Sequence, residues 1–308
     1  MSRQLQVALL ILSGTGVMSA PMTAESQAAV DRRTTTDVVL LGTGTPVPDP
    51  RTAGPSTAVV FGKRLFIFDA GAGVQRQLSK ADLSHTSFEA VFFTHLHSDH
   101  TLGYPDLIFT SWVFGRSVPL KVFGPPGLKR MSDHLVAAFE EDIEARTKGP
   151  EHTIPNAYRV TATDVAPGLI YDSAGVRVRA IAVPHNIGIP AYAYRIDTPD
   201  RSIVISGDTG PSDVLVSWAR DTDVLVHEVV NMDEVGGKFP SGADIRAYMG
   251  ATHTPADRLG QIAARAHPKL LVLTHIIPSG TNEQKMLSAV RAGGFRGRVV
   301  FGHDLDRY

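Results

Sequence analysis

From Asp37 onward, short apolar runs alternate with stretches of helical periodicity. Val38-Val39-Leu40-Leu41 has the length and branching of a buried strand and ends in Gly42-Thr43-Gly44-Thr45-Pro46. Ser56 to Phe61 and Leu65 to Phe68 read as a hairpin turning at Gly62-Lys63, and Ala90-Val91-Phe92-Phe93 as a further buried strand. Leu135, Val136, Phe139 and Ile143 predict one amphipathic helix over Ser132 to Arg146. Strands resume at Val176–Val183, Tyr192–Ile196, Ile203–Ser206, Val224–Val226, Leu270–Leu273 and Val299–Phe301. Thr254 reads as an N-cap with Pro255 at the first helical position and Asp257 three residues on; Leu259, Ile262, Ala263 and Ala266 form one face. Without repeats or low-complexity linkers, the alternation predicts one α/β domain of layered sheets with outer helices.

The first 24 residues have a different character. Arg3 precedes the apolar stretch Val7-Ala8-Leu9-Leu10-Ile11-Leu12, and small residues follow with a cleavage point after Ala24. The expectation is a signal peptide over 1–24, a flexible segment over 25–36, a single domain over 37–308, and a periplasmic or secreted location, with the cytoplasm as the alternative. Composition then narrows the chemistry. Hydrophobic residues make up 43% and charged residues 20% of the 308, which fits a globular domain with a large core. Thirty Lys and Arg against 31 Asp and Glu give a formal charge of −1, and removal of residues 1–24 takes away only the cation Arg3. No bulk positive field gathers polyanions, so nucleic acid is not the expected partner, and neither is a membrane. Cysteine is absent, which excludes disulfides, Cys-ligated zinc and thiol catalysis. The Phe- and Met-bearing helix faces fit a homodimer interface and core burial equally well.

Function therefore turns on the 12 histidines. Thr94-His95-Leu96-His97-Ser98-Asp99-His100 sets three imidazoles and a carboxylate in six positions directly after a buried strand. Core packing does not call for such a group, whereas zinc and similar divalent ions do when thiolates are missing. An extended backbone aims His95 and His97 the same way, and a turn can carry Asp99 and His100 to a second ion. Three further candidates each lie just past a predicted strand: His185 in Pro184-His185-Asn186, Asp208 in Gly207-Asp208-Thr209 and His275 in Thr274-His275.

This ordered set resembles the motifs of the metallo-β-lactamase-fold hydrolases over essentially all of residues 37–308. The resemblance implies a four-layer αββα sandwich with a dinuclear site at the strand-end rim. It implies one metal held by His95, His97 and His185, another by Asp99, His100 and His275, and Asp208 bridging them. Two Zn2+ suit these ligands, with manganese or iron admissible. A pair of such ions about 3.5–4 Å apart brings a shared water toward neutral pKa, giving a bridging hydroxide as nucleophile.

Val226-His227-Glu228-Val229 and His253-Thr254 are similar to motifs of the ribonuclease Z-like branch, which implies Glu228 orienting His253 as general acid. Asp99, Glu228 and His253 are thus the catalytic candidates, His227 is read as structural, and Asp69 as a buttress of the metal loop. The glycines of Gly42-Thr43-Gly44-Thr45 and Asp69-Ala70-Gly71-Ala72-Gly73 read as tight turns, since no following helix is evident. Tyr104, Trp112 and Phe114 are either an aryl-pocket wall or core aromatics, Arg116 an anion contact or a surface charge, and His303 has no metal role. Only 22 residues separate His185 from Asp208, too few for the tRNA-gripping arm of true ribonuclease Z. The expected function is a two-zinc hydrolase of small sulfate or phosphate esters, like exported arm-less arylsulfatase and phosphodiesterase relatives. The alternatives are a β-lactam or lactone hydrolase, a tRNA 3′-processing ribonuclease Z, and a metal-stabilised binding protein without activity.

Overall fold

The computed structural model describes residues 35–308, with residues 152 and 187 excepted. The expected signal peptide and most of the expected flexible segment lie outside those residues. Two mixed sheets pack face to face. The first runs in the order β1 (Thr36–Gly42), β2 (Ser56–Phe61), β3 (Arg64–Phe68), β4 (Ala90–Phe92), β5 (Leu120–Gly124), β6 (Val160–Asp164). The second contains β7 (Gly168–Ser173), β8 (Val176–Asn186), β9 (Ile189–Asp197), β10 (Ser202–Ile205), β11 (Val224–Val230), β12 (Leu270–Ile277) and β13 (Arg298–Phe301), laid side by side from β13 to β7.

Strand alternation explains the layers, because successive side chains face opposite ways. Val38, Leu40, Phe66, Phe68 and Phe92 of the first sheet meet Val178, Tyr194, Ile203, Val224 and Val272 of the second in the central layer. Phe68 and Phe92 stack with ring centroids 4.9 Å apart, and Tyr194 tilts against both. Truncating one such ring costs about 3–5 kcal/mol. The opposite residues of each sheet pack on helices. Val39, Leu41, Ile67 and Val91 lie under α1 (Val74–Lys80), α3 (Tyr104–Val113) and α4 (Leu128–Ala138). Leu225, Leu271 and Leu273 lie under α6 (Asp213–Trp218), α8 (Ala256–Ala266) and α9 (Glu283–Ala292), with α7 (Ile245–Thr252) just ahead of α8 in the chain. The result is the expected αββα sandwich, a single domain. Among the described residues no helix is long and apolar enough to cross a membrane.

Local readings needed correction in three places. The helix expected over Ser132 to Arg146 is two, α4 and α5 (Glu140–Lys148), parted at Phe139, where φ −105° and ψ 19° leave the helical region. Phe139 stacks on Phe109 at 4.2 Å, so its tertiary contact outweighs the continuous periodicity. Thr254 does not cap α8: its hydroxyl donates to the Thr209 carbonyl at 2.7 Å, and the helix begins at Ala256 behind Pro255. A short helix does follow the second glycine stretch, α1, with Gly73 at φ 90° as its N-cap.

Candidate metal centre

The metal candidates converge where strands of both sheets end. The chain leaves β4 through a bend at Thr94 and is extended at His97, and one helical turn, α2 (Ser98–Thr101), presents Asp99 and His100. His275 owes its direction to a bulge. Glu228 of β11 pairs with Thr274 and Val229 with Ile276, so His275 is the extra residue, at φ 45°. A similar irregularity between Val183 and Asn186 frees His185 from the β8–β9 ladder. Asp208 follows β10 through Gly207, whose φ of 57° suits a glycine.

Two groups result, His95/His97/His185/Asp208 and Asp99/His100/His275, each with ligand atoms within 4.8 Å of one another. In the first, His97 Nδ1 lies 2.9 Å from His95 Nε2 and 3.2 Å from His185 Nε2. Asp208 stands between the groups. Its Oδ1 is 3.2 Å from His100 Nε2, and its Oδ2 is 3.3 Å from His275 Nε2, 3.8 Å from His95 Nε2 and 3.9 Å from His185 Nε2. Asp99 Oδ2 reaches His100 Nε2 at 3.6 Å and His275 Nε2 at 3.9 Å.

The outer ring nitrogens fix the tautomers. His185 Nδ1 donates to the Thr252 carbonyl at 2.8 Å and His275 Nδ1 to the Gly44 carbonyl at 2.6 Å. His100 Nδ1 donates to Asp69 Oδ2 at 2.8 Å. The Thr94 hydroxyl donates to Asp69 at 2.8 Å and receives His95 Nδ1–H at 3.0 Å. Four Nε2 lone pairs thereby face inward, as ligation requires. Among the inward atoms, Asp99 Oδ2, His100 Nε2, Asp208 Oδ1 and His275 Nε2 are buried without a hydrogen-bond partner. Each such orphan costs about 1–3 kcal/mol, so the donor set fits a divalent cation chemically and leaves it the needed valences. Asp208 and these rings are strongly linked: burial disfavours the Asp208 charge, but His275 and His100, where they carry a proton, outweigh it and hold the carboxyl well below its usual range. Burial and the neighbouring His100 charge push His95 well down.

Asp69 buttresses the cluster as expected, at φ 60° with Thr94 N–H also on its Oδ1 at 2.8 Å. Glu228 Oε1 accepts Thr254 N–H at 2.8 Å and Thr209 N–H at 3.3 Å, and its Oε2 lies 3.4 Å from His253 Nδ1. Burial opposes a charge on His253, yet Glu228 outweighs it and raises the ring to about 9. The His253 ring stands 5.2 Å from that of His185 and 6.2 Å from that of His275, beside both groups. His227 is turned away into the core, with Nδ1 2.6 Å from the Glu228 carbonyl oxygen.

Other candidates lie elsewhere. Tyr104 and Trp112 are core residues on α3: Tyr104 pairs with the Ser132 hydroxyl at 2.7 Å, and Trp112 Nε1 donates to the Ile154 carbonyl at 3.0 Å. Phe114 is 68% exposed. Arg116 is neither a surface charge nor an anion contact, because it is buried and donates to Val118, Ala157 and Ile108 carbonyls and the Ser111 hydroxyl. His303 is exposed, 3.6 Å from Asp306. Sequence reasoning missed Thr94, and the Gly44 and Thr252 carbonyls. Only Thr94 offers a side-chain signal, its place directly before the histidine motif.

Comparison with known proteins agrees with this geometry. The β-lactamase superfamily domain profile matches residues 64–276. A protein named Ribonuclease Z from Mycobacterium sp. (strain KMS) is 36% identical over 275 residues, covering 88% of this chain and 95% of the relative. Its namesake from Mycobacterium bovis (strain BCG / Pasteur 1173P2) is 35% identical over 88% and 97%. Among solved structures, the metallo-beta-lactamase fold protein YhfI from Bacillus subtilis superposes with TM-score 0.69 at 17% identity, over 89% of this chain and 98% of that one. Short-form human tRNase Z follows at TM-score 0.65 and 23%, over 88% and 98%. At such identities the solved structures bear on the fold alone. The curated relatives overturn the expectation of a small-molecule ester substrate without nucleic acid, since they are named as ribonucleases. That expectation leaned on the missing arm, the N-terminal segment and the net charge, and net charge averages the whole surface and is silent about the field at one rim. The fold implies divalent metal, and the chain belongs to the β-lactamase superfamily of metallo-hydrolases, in its ribonuclease Z-like branch, as a hydrolase of ester bonds.

Proposed function

We propose that this protein is a two-zinc phosphodiester hydrolase acting on RNA, with 3′ processing of precursor tRNA as its reaction. The observation that carries the reading is the 36% identity to a Ribonuclease Z along 88% of the chain, joined to a rim where every candidate ligand is present. His95, His97 and His185 would hold one ion, Asp99, His100 and His275 the other, with Asp208 shared. Bound divalent ions would supply an acidified water at neutral pH and offset charge at the attacked phosphorus. Asp99 and Asp208 supply the negative charge that lets two dications sit together. Glu228 holds His253 beside both groups, where its ring can give a proton to the departing ribose oxygen.

Asn186 of β8 pairs with Ile189 of β9, and β9 and β10 take up most of the 22 positions between His185 and Asp208, so the described residues there form no arm. RNA grip must then come from the rim itself, and cleavage should depend only shallowly on salt. The test is cleavage of a precursor tRNA beside nitrophenyl sulfate, bis-nitrophenyl phosphate and a chromogenic cephalosporin. Cleavage at the 3′ trailer with weak turnover of the others supports the reading. Inert tRNA with rapid sulfate or β-lactam turnover overturns it. N-terminal sequencing of the natural protein shows whether residues 1–24 are removed, which an RNA-processing role inside the cell argues against.

A further inference from the structure

We infer that Asp304 is a positioning residue of the metal centre, setting the orientation of His275 through the Thr43–Gly44 backbone; the inference rests on the metal reading above. Asp304 lies just past β13 and is only half-buried, and it is no ligand itself. Its four hydrogen bonds occupy the carboxylate. Oδ1 accepts the N–H and the hydroxyl of Thr43, both at 2.8 Å. Oδ2 accepts Ala53 N–H at 2.7 Å and Gln77 Nε2–H at 2.8 Å. All four donors are neutral, and a carboxylate with that many partners has little capacity left for an ion.

Those bonds tie together the segments that shape one side of the site. Gly44 N–H donates to the Ala53 carbonyl at 2.8 Å, while Gly44 O receives His275 Nδ1–H at 2.6 Å. Gln77 also donates to the Leu41 carbonyl at 2.6 Å. A Cβ on Gly44 would stand 2.6 Å from Ala53 O, and one on Gly42 2.0 Å from Gly54 O, so the two loops meet backbone to backbone. The tail that carries Asp304 is anchored in turn, since Gly302 N–H donates to Leu273 O at 2.9 Å, two residues before His275. His275 itself sits in a bulge at φ 45°, a conformation that needs outside support. Its ring has one outer partner, Gly44 O, whose direction is set by the backbone that Asp304 clamps. Asp304 therefore acts on the Asp99/His100/His275 ion and leaves the His95/His97/His185 ion alone.

Competition with a chelator on the full chain, using zinc alone, separates the two affinities. Asp304→Ala is expected to weaken one ion by up to roughly tenfold while the other binds as in wild type, the low end of the range seen when the outer partner itself is lost. The cobalt spectrum of Asp304→Ala should shift in the same direction as that of His275→Ala, and by less. Asp223→Ala, a polar truncation at the far ends of β10 and β11, should leave both affinities unchanged. Where Asp304→Ala fails to fold, Thr43→Val removes one of the four bonds and should weaken the same ion several-fold. Equal weakening of both ions, or none, overturns the inference while the metal reading stands. A wild-type chain that takes up no divalent ion overturns both.

Discussion

Glu228 Oε2 lies 3.4 Å from His253 Nδ1, while the other oxygen of the same carboxylate accepts the backbone N–H of Thr254. One side chain thus fixes the segment that carries His253 and faces its ring. Glu228→Gln keeps an acceptor for Thr254 and removes the charge. We expect kcat to fall about 100-fold on esters whose leaving alkoxide needs a proton, and only a few-fold on nitrophenolate esters, which need none. Steady-state kinetics on a matched pair of phosphodiesters checks this; equal losses on both would make Glu228 a staple only.

Asp69 takes Thr94 N–H, the Thr94 hydroxyl and His100 Nδ1–H, and through Thr94 it also orients His95. It therefore supports a ligand of each ion. Asp69→Ala should weaken metal binding about 10–100-fold at both sites, unlike the one-sided effect argued for Asp304. Zinc competition titration distinguishes the patterns, and wild-type affinity at either site would contradict the assignment.

Arg116 joins α3 to the segments leading into β5 and β6 through three carbonyls. Burial pulls its guanidinium down to about 10, yet the ring of acceptors keeps it in place. Arg116→Ala leaves those carbonyls unpaired and should cost about 3 kcal/mol in urea unfolding. Metal content and turnover of the folded variant should match wild type; loss of substrate binding alone would restore an anion-contact role.

Burial opposes the charge of Asp223, but Lys269 at 2.6 Å and the Ser202 N–H and hydroxyl outweigh it and hold the carboxyl below the usual range. Folding thus favours its ionised form. The contribution is present above the unfolded value of about 4 and fades as pH falls through the lower folded value. The stability gap between wild type and Asp223→Asn should be steady near neutral pH and shrink below about pH 4. Urea titrations across that range measure it, and a gap that grows on acidification would contradict the sign.

The sequence made the candidate metal ligands and the layers legible because both obey short-range rules. His95 to His100 lie within six positions, and buried strands such as Val38–Leu41 announce themselves by composition. What escaped depends on partners far along the chain. No local pattern says that Phe139 will leave its helix to stack on Phe109, or that Arg116 will be enclosed by carbonyls. Backbone carbonyls such as Gly44 and Thr252 orient ligands without any side-chain signature. The substrate expectation, drawn from the missing arm, the N-terminal segment and the net charge, failed for a related reason, since none of the three describes the local surface at the rim.

On the proposed function, seven side chains from both sheets hold a pair of divalent ions that the reaction requires. Metal analysis of dialysed wild type and of Asp208→Ala, paired with turnover of bis-nitrophenyl phosphate, tests it most directly. About two ions per wild-type chain are expected, with Asp208→Ala losing at least one of them and nearly all turnover. Fewer than about one ion per wild-type chain, or undiminished turnover by Asp208→Ala, would contradict it.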